Sequence, residues 1–228
     1  MTDDAAKSLH DKRFPGEDAT YREARDALLL AELELRRQDE RVAALRRALP
    51  PGGLAKDYLF DEGDDGHPVR LSELFGDHPS LLLYSYMYGP NMDRPCPSCS
   101  SMLDGLDGQA PHIVQRAALA VVARSPIARV RAAGAERGWR NLRLISSANN
   151  SYHADYQSET EDGSQRPILN VFSRRGGELR HVWASELAFA PTEPGQDPRH
   201  IDQIWPLWNA LDLTPDGRGD FRPKLSYD

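Results

Sequence analysis

Three short apolar runs, separated by stretches of helix length, constrain this chain more than any other feature. They are "SLLLYSYMYG" (80–89), "AALAVVA" (117–123) and "NLRLISS" (141–147). A near-continuous run of strand length is what a strand buried on both faces looks like, as opposed to the alternation of a half-exposed one. Between the last two lies "SPIARVRAAGAERGW", which reads as a helix with Ser125 at its N-cap and Pro126 at its first position. Strand, helix, strand, helix, strand implies an α/β fold whose central strands are parallel and joined by right-handed crossovers. Further on, "RPILNVFSRRGGELRHVWAS" gives two more strands joined at Gly176 and Gly177, an antiparallel hairpin that makes the sheet mixed.

A chain of 228 residues holds one sizeable core with an appendage more comfortably than two full domains. The division read from the sequence is a helical extension over 1–50, an α/β domain over 51–213 and a tail over 214–228. In the extension, "TYRE" reads as a capping box with Thr20 as N-cap and Glu23 as its partner, and "LPPGG" closes the helix. Tyr21, Leu28, Leu35, Val42 and Leu49 recur every seven residues along it. Such a helix, about 42 Å long at 1.5 Å per residue, either docks along its own domain or serves as the contact of a homodimer. "VRLSELFG" reads as a short strand and turn after the Gly- and Asp-rich loop 52–68. The polar, acidic stretch 148–165 reads as a long loop, and "DPRHIDQIWPLWNALDL" as a closing amphipathic helix kinked at Pro206.

The net charge of −7 leaves no basic footprint for a nucleic acid or an anionic membrane surface. Arginine dominates the basic residues, which suits a GC-rich bacterial genome. "MTDDAAKSLHDKRF" has no apolar segment, and no run reaches the roughly twenty apolar residues needed to span a bilayer. The expectation is a soluble, cytoplasmic protein. In a reducing compartment, a structural disulfide is a poor use for cysteine, and this chain has only two.

Both lie in "DRPCPSCSSM", immediately after the first buried strand and at the expected start of a helix. A helix N-terminus stabilises a thiolate through its unpaired N–H groups and positive dipole end, so Cys96 should ionise more readily than a free cysteine. Pro97 fits the first turn, where its missing N–H costs nothing. Cys99, one turn on along the same face, is within disulfide reach and more shielded. An exposed thiolate that attacks and an inner thiol that resolves are the minimum apparatus of thiol–disulfide exchange. A zinc site would want four soft ligands, and no second Cys/His pair has the spacing. Pro167, at the entrance of the strand "ILNVF", would present the Arg166 backbone to an incoming disulfide if the Arg166–Pro167 bond were cis.

These residues and the order of elements resemble the thioredoxin-like superfamily, near its alkyl hydroperoxide reductase and thiol-specific antioxidant branch. More closely, "YREARDALL", "RRALPPGG", "YMYGPNMDRPCPSCSSMLDGLDG", "GWRNLRLISSANNSYHADY" and "DPRHIDQIWPLWNALDLTPDGRG" resemble a bacterial family of unknown function described as predicted dithiol-disulfide oxidoreductases. The resemblance implies a thioredoxin-like mixed sheet flanked by helices. It places Cys96 at the nucleophilic position, Cys99 at the resolving position and Pro167 at the cis-proline. The motif departs from that of thioredoxin, with Pro95 before the first cysteine and Pro-Ser between the two. It departs from peroxiredoxins in having Asp93 where they carry threonine.

Other residues could tune the site. Arg94 could lower the thiolate pKa and Asp93 raise it. His153 and His181 are candidates for a proton shuttle or a third metal ligand, and Tyr84, Tyr86 and Tyr88 alternate along one strand face that could line a pocket. The first rival to a dithiol-disulfide oxidoreductase is a copper protein or oxidase holding Cu(I) with the same thiolates and the thioethers of Met92 and Met102. The second is a non-catalytic interaction protein that works through the long helix. The leading reading requires no organic cofactor and no metal, since no glycine-rich phosphate loop occurs in the required context. Its partners are a disulfide or oxidised-sulfur substrate and a cellular thiol reductant.

Overall fold

A computed structural model describes residues 9–63, 65 and 67–227. The polar stretch 1–8, Asp64 and Gly66 of the loop after Gly52, and Asp228 lie outside the described residues. The chain divides into two compact units, one up to Pro50 and one from Pro51 onward.

The first unit is built on helix α1 (Ala19–Ala48). Its N-cap is Asp18, not Thr20: the Asp18 carboxylate accepts from the Tyr21 N–H at 2.8 Å. A carboxylate is a strong cap and carries negative charge to the positive end of the helix, so it sets the start two residues before the capping box. Burial along α1 inverts the heptad reading. Arg22 and Asp26 are buried and paired at 2.9 Å, whereas Tyr21, Leu28, Leu35 and Leu49 are exposed.

The second unit is an eight-stranded mixed sheet in the order β1-β8-β7-β4-β5-β6-β2-β3. In chain order its elements begin with β1 (Gly53–Leu54), β2 (Leu59–Glu62), β3 (His67–Arg70), the one-turn helix α2 (Leu71–Leu74) and β4 (Ser80–Tyr86). They continue with α3 (Pro97–Ile113), β5 (Ala118–Ala123), α4 (Ile127–Arg137), β6 (Leu144–Ser146) and α5 (Tyr152–Asp155). The hairpin β7 (Leu169–Arg175) and β8 (Glu178–Ala184) precedes the short helix α6 (Pro206–Leu211). The three apolar runs are β4, β5 and β6, paired in parallel, and β7 runs antiparallel on the other side of β4. Crossovers α3 and α4 join the parallel strands, and the antiparallel hairpin makes the sheet mixed, as expected.

Because strand side chains alternate, the sheet has two separate cores. On one face Tyr84, Tyr86, Val121 and Ala123 pack with Met102, Leu103 and Leu106 of α3 and Val130 of α4. On the other, Leu81, Leu83, Ala120, Val122 and Phe172 pack with Phe60, Phe75 and Tyr152. Each fully buried Val, Leu, Phe or Met among them contributes about 1.5–3 kcal/mol by leaving water.

Several elements differ from expectation: β1 and β2 lie within the expected loop 52–68, and α5 within the expected loop 148–165. Helix α4 is capped by Pro126, while Ser125 Oγ donates to the Gly89 carbonyl at 2.9 Å and so leaves the helix end. It stops at Gly138, whose φ of 76° suits glycine. The expected closing helix is two pieces, a 3₁₀ turn at Asp202–Ile204 and α6, since Pro206 has no N–H to continue a helix and instead starts a new one. In the tail from Thr214, Arg218 pairs with Asp202 at 2.5 Å and Asp212 at 2.7 Å, and Arg137 donates to the Leu225 carbonyl. Among the described residues no helix is long and apolar enough to cross a membrane.

Candidate active site

The loop between β4 and α3 is pinned before it reaches the cysteines. Arg129 of α4 donates to the carbonyls of Pro90 at 2.9 Å and Met92 at 2.5 Å, and its guanidinium lies 4.6 Å from the centre of the Tyr88 ring. The Ser125 N–H donates to the Tyr88 carbonyl at 2.9 Å. The Cys96 N–H then donates to the Met87 carbonyl at 3.0 Å, which fixes where α3 begins.

Cys96 is the N-cap residue of α3 and Pro97 its first helical residue. The Cys96 carbonyl accepts from the Ser100 N–H and from Ser100 Oγ, both at 3.0 Å. With its proton so used, Ser100 Oγ accepts from the Tyr86 hydroxyl at 2.7 Å. This buried chain holds the cap rigidly, while Cys96 stays half-buried and Cys99 is only 3 % exposed. The two cysteines are free thiols and approach to 3.5 Å.

Their environments drive their pKa values apart. Cys96 is lowered to about 6, first by a hydrogen bond from the Cys99 thiol, against the cost of partial burial, and then by the N–H groups of Cys99 and Ser98. Cys99 is pushed up, chiefly by burial and then by its hydrogen bond and charge contact with Cys96. One sulfur is thus held as an anion near neutral pH and the other as a proton donor to it.

The pair opens on a cavity of about 210 Å³. Tyr84, Met87 and Ser98 line it with the sulfurs, together with Pro167, Trp205 and Trp208. Arg199, His200 and Arg222 complete the wall. The wall is held in place by Arg218, which pairs with Asp202 and Asp212 and lies 5.3 Å from the Trp208 ring centre. His200 Nε2 is buried without a partner, and burial lowers the imidazole pKa.

The structure brings Cys96, Cys99 and Pro167 to one cavity. The bond before Pro167 is trans, since the described residues contain no cis peptide bond; this corrects the cis-proline expectation. The reason is local pairing. The Arg166 N–H donates to Ser158 O and the Ser85 N–H to Ile168 O, both at 2.8 Å, so the chain is already extended on either side of the proline. Tyr84, Tyr86 and Tyr88 do share one face, but Tyr84 alone of the three lines the cavity.

The other candidates lie elsewhere. Arg94 pairs with Glu136 at 2.9 Å on the surface, and neither it nor Asp93 contributes to the Cys96 pKa. His153 is buried on the other face of the sheet, its Nδ1 2.6 Å from Ser147 Oγ, and burial lowers its pKa to about 3. His181 Nε2 bonds Asn170 Oδ1 at 2.9 Å. Met92 Sδ accepts from the Gly89 N–H, and Met102 is fully buried core. Among the described residues no group of three or more His, Cys, Asp or Glu is placed to hold a metal, so the copper reading finds no support. The sequence reading missed His200, Arg199 and Arg222, which reach the cysteines only through tertiary folding; the Trp205 and Trp208 spacing was visible, but as a helix face.

A family described as a bacterial protein of unknown function, DUF899, matches residues 12–227. The chain belongs to this family. None of the curated proteins matches this DUF899 member. Among solved structures it is similar to peroxidoxin BcpB from Mycobacterium tuberculosis, at 15% identity over 72% of this chain and 98% of that chain, with a TM-score of 0.48. It is also similar to peroxiredoxin Q from Xanthomonas campestris, at 15% identity over 72% and 97% of the two chains, TM-score 0.47. A third is thioredoxin peroxidase I from Plasmodium yoelii, at 19% identity over 78% and 99%, TM-score 0.44.

Proposed function

We propose that this DUF899 member is a thiol-dependent redox enzyme, and more specifically a dithiol-disulfide oxidoreductase working through Cys96 and Cys99. The observation that supports it is the opposed pair at a cavity: a half-buried sulfur held as thiolate at a helix N-cap, and a buried thiol within bonding reach of it.

In the reducing direction, the Cys96 thiolate attacks one sulfur of a substrate disulfide. A Cys96–substrate bond forms, the substrate S–S bond breaks, and the first product leaves as a thiolate that takes a proton from solvent. The Cys99 thiol then loses its proton and attacks Cys96 Sγ. The Cys96–Cys99 disulfide forms and the second product leaves as a thiol. Substrate gains two electrons and the protein loses two; a cellular thiol reductant returns them by the reverse exchange. Pro167 supplies part of the wall against which the substrate lies. The cytoplasm, where such reductants are plentiful, is the compartment this chemistry suits.

The test is a Cys99→Ser variant mixed with a disulfide. The expected result is a stable covalent adduct on Cys96, seen as a mass increase that a reductant removes, and no adduct when Cys96 is replaced as well. Turnover by wild type without any adduct in Cys99→Ser would overturn the reading.

A further inference from the structure

Of the polar atoms around the site, the Tyr84 hydroxyl is the one whose environment the scheme above leaves unexplained. Tyr84 sits in the middle of β4, opposite Val121 on one side and Leu169 on the other. Its side chain is fully buried, yet it lines the cavity beside the two cysteines. Its hydroxyl makes no well-formed hydrogen bond, although it is within interaction range of the Cys99 thiol. The neighbouring Tyr86, on the same face, has its hydroxyl bonded to Ser100. Of the polar groups that act on the Tyr84 hydroxyl, Cys99 comes first, by charge and by a loose side-chain hydrogen bond, ahead of Cys96 and Tyr86.

A buried donor that is only loosely engaged with a neutral thiol at rest gains a full charge-assisted hydrogen bond when that thiol becomes an anion. That moment is the second half-reaction, when Cys99 must lose its proton in a site that burial makes hostile to charge. We propose that Tyr84 is a catalytic residue of the resolving step, its hydroxyl donating a hydrogen bond to Cys99 Sγ as that sulfur turns into the attacking thiolate. The inference rests on the exchange reading given above. Tyr84 keeps its own proton throughout, because burial and the nearby sulfurs oppose its ionisation. The Cys99 proton passes to the departing substrate sulfur or to solvent through the cavity. The mixed disulfide breaks, the Cys96–Cys99 bond forms, and no further oxidant or reductant is consumed.

The experiment mixes reduced protein with dithiobis(nitrobenzoate), which releases one coloured thiolate when Cys96 attacks and a second when Cys99 resolves. In Tyr84→Phe the first release should keep its wild-type rate, and the second should slow about tenfold, the scale of one hydrogen bond to a charged group. Because the lost hydroxyl makes no well-formed hydrogen bond at rest, the variant should melt close to wild type. A second release as fast as in wild type overturns the proposal, as does an equal slowing of both releases, which marks a structural role. A variant that fails to fold contradicts the loosely engaged hydroxyl on which the proposal stands. The exchange reading fails separately: its failure is a wild-type protein that gives no second release at all.

Discussion

The two faces of the central sheet carry similar buried tyrosines in opposite states. On the face away from the cysteines, the Tyr152 hydroxyl accepts from Asn170 Nδ2 at 3.1 Å, while Asn170 Oδ1 accepts from His181 Nε2. Tyr58, Phe60, Tyr156 and Phe172 ring it with edge-on and tilted contacts. On the cysteine face, Tyr84 is as deeply buried, but its hydroxyl makes no such bond and its cavity is open. Same residue type, same burial, opposite faces: what differs is that the Tyr152 hydroxyl is paired within a packed aromatic scaffold. The Tyr84 hydroxyl is left without a well-formed hydrogen bond beside the reacting sulfurs, as a site that must react requires.

The sharpest way to break this comparison is to remove the reacting sulfur. Cys96→Ser should abolish both thiolate releases with the aromatic disulfide, down to the uncatalysed background, while circular dichroism stays that of wild type. Next in size, Phe172→Ala empties the scaffold face, where the ring is fully buried. It should cost about 3–5 kcal/mol in denaturant unfolding, with the Cys96 reaction rate of the folded fraction unchanged. If Phe172→Ala instead destroys Cys96 reactivity in folded protein, the two faces are not separable.

A smaller effect separates the two tyrosines directly. Tyr152→Phe leaves the Asn170 amide donor buried without its partner and should lower stability by about 1–2 kcal/mol; Tyr84→Phe, with no well-formed bond to lose, should stay close to wild type. Equal losses in both would erase the distinction. The smallest expected change is Arg94→Ala. Its ion pair with Glu136 is exposed on both sides and worth at most about 1 kcal/mol, and the pH dependence of Cys96 should not move.

How much of this was legible in the sequence follows from how local each signal is. The strands β4, β5 and β6 were visible because burial on both faces writes itself as an uninterrupted apolar run. The hairpin was visible because Gly176 and Gly177 mark its turn. The cysteine pair was visible as a cap because Pro97 stands where a first helical residue should. The strands β1 and β2 were missed, since two to four residues inside a Gly- and Asp-rich stretch carry no usable period. Gly52, for example, holds its place because an added Cβ would lie 1.7 Å from the His181 carbonyl oxygen, a tertiary fact with no local trace. The trans bond before Pro167, the division of residues 201–211 into two pieces and the arrival of His200 and Arg222 at the cavity depend likewise on contacts across the chain.

Linkage ties the central claim to pH with opposite signs for the two thiols. Cys96 has its pKa lowered on folding, so its contribution to stability is present above the pKa of the unfolded thiol and is lost as pH falls through about 6. Cys99 has its pKa raised, so its contribution is present below the unfolded pKa and is lost as pH rises towards its folded value. The most direct measurement is the rate of alkylation of each cysteine in the reduced protein across pH, with the modified residue identified by mass. The account predicts that Cys96 alone is modified near neutral pH, at a rate that rises through a midpoint near pH 6 and then levels, while Cys99 stays protected. Two cysteines reacting alike, with an ordinary thiol midpoint near pH 8.5, would contradict it.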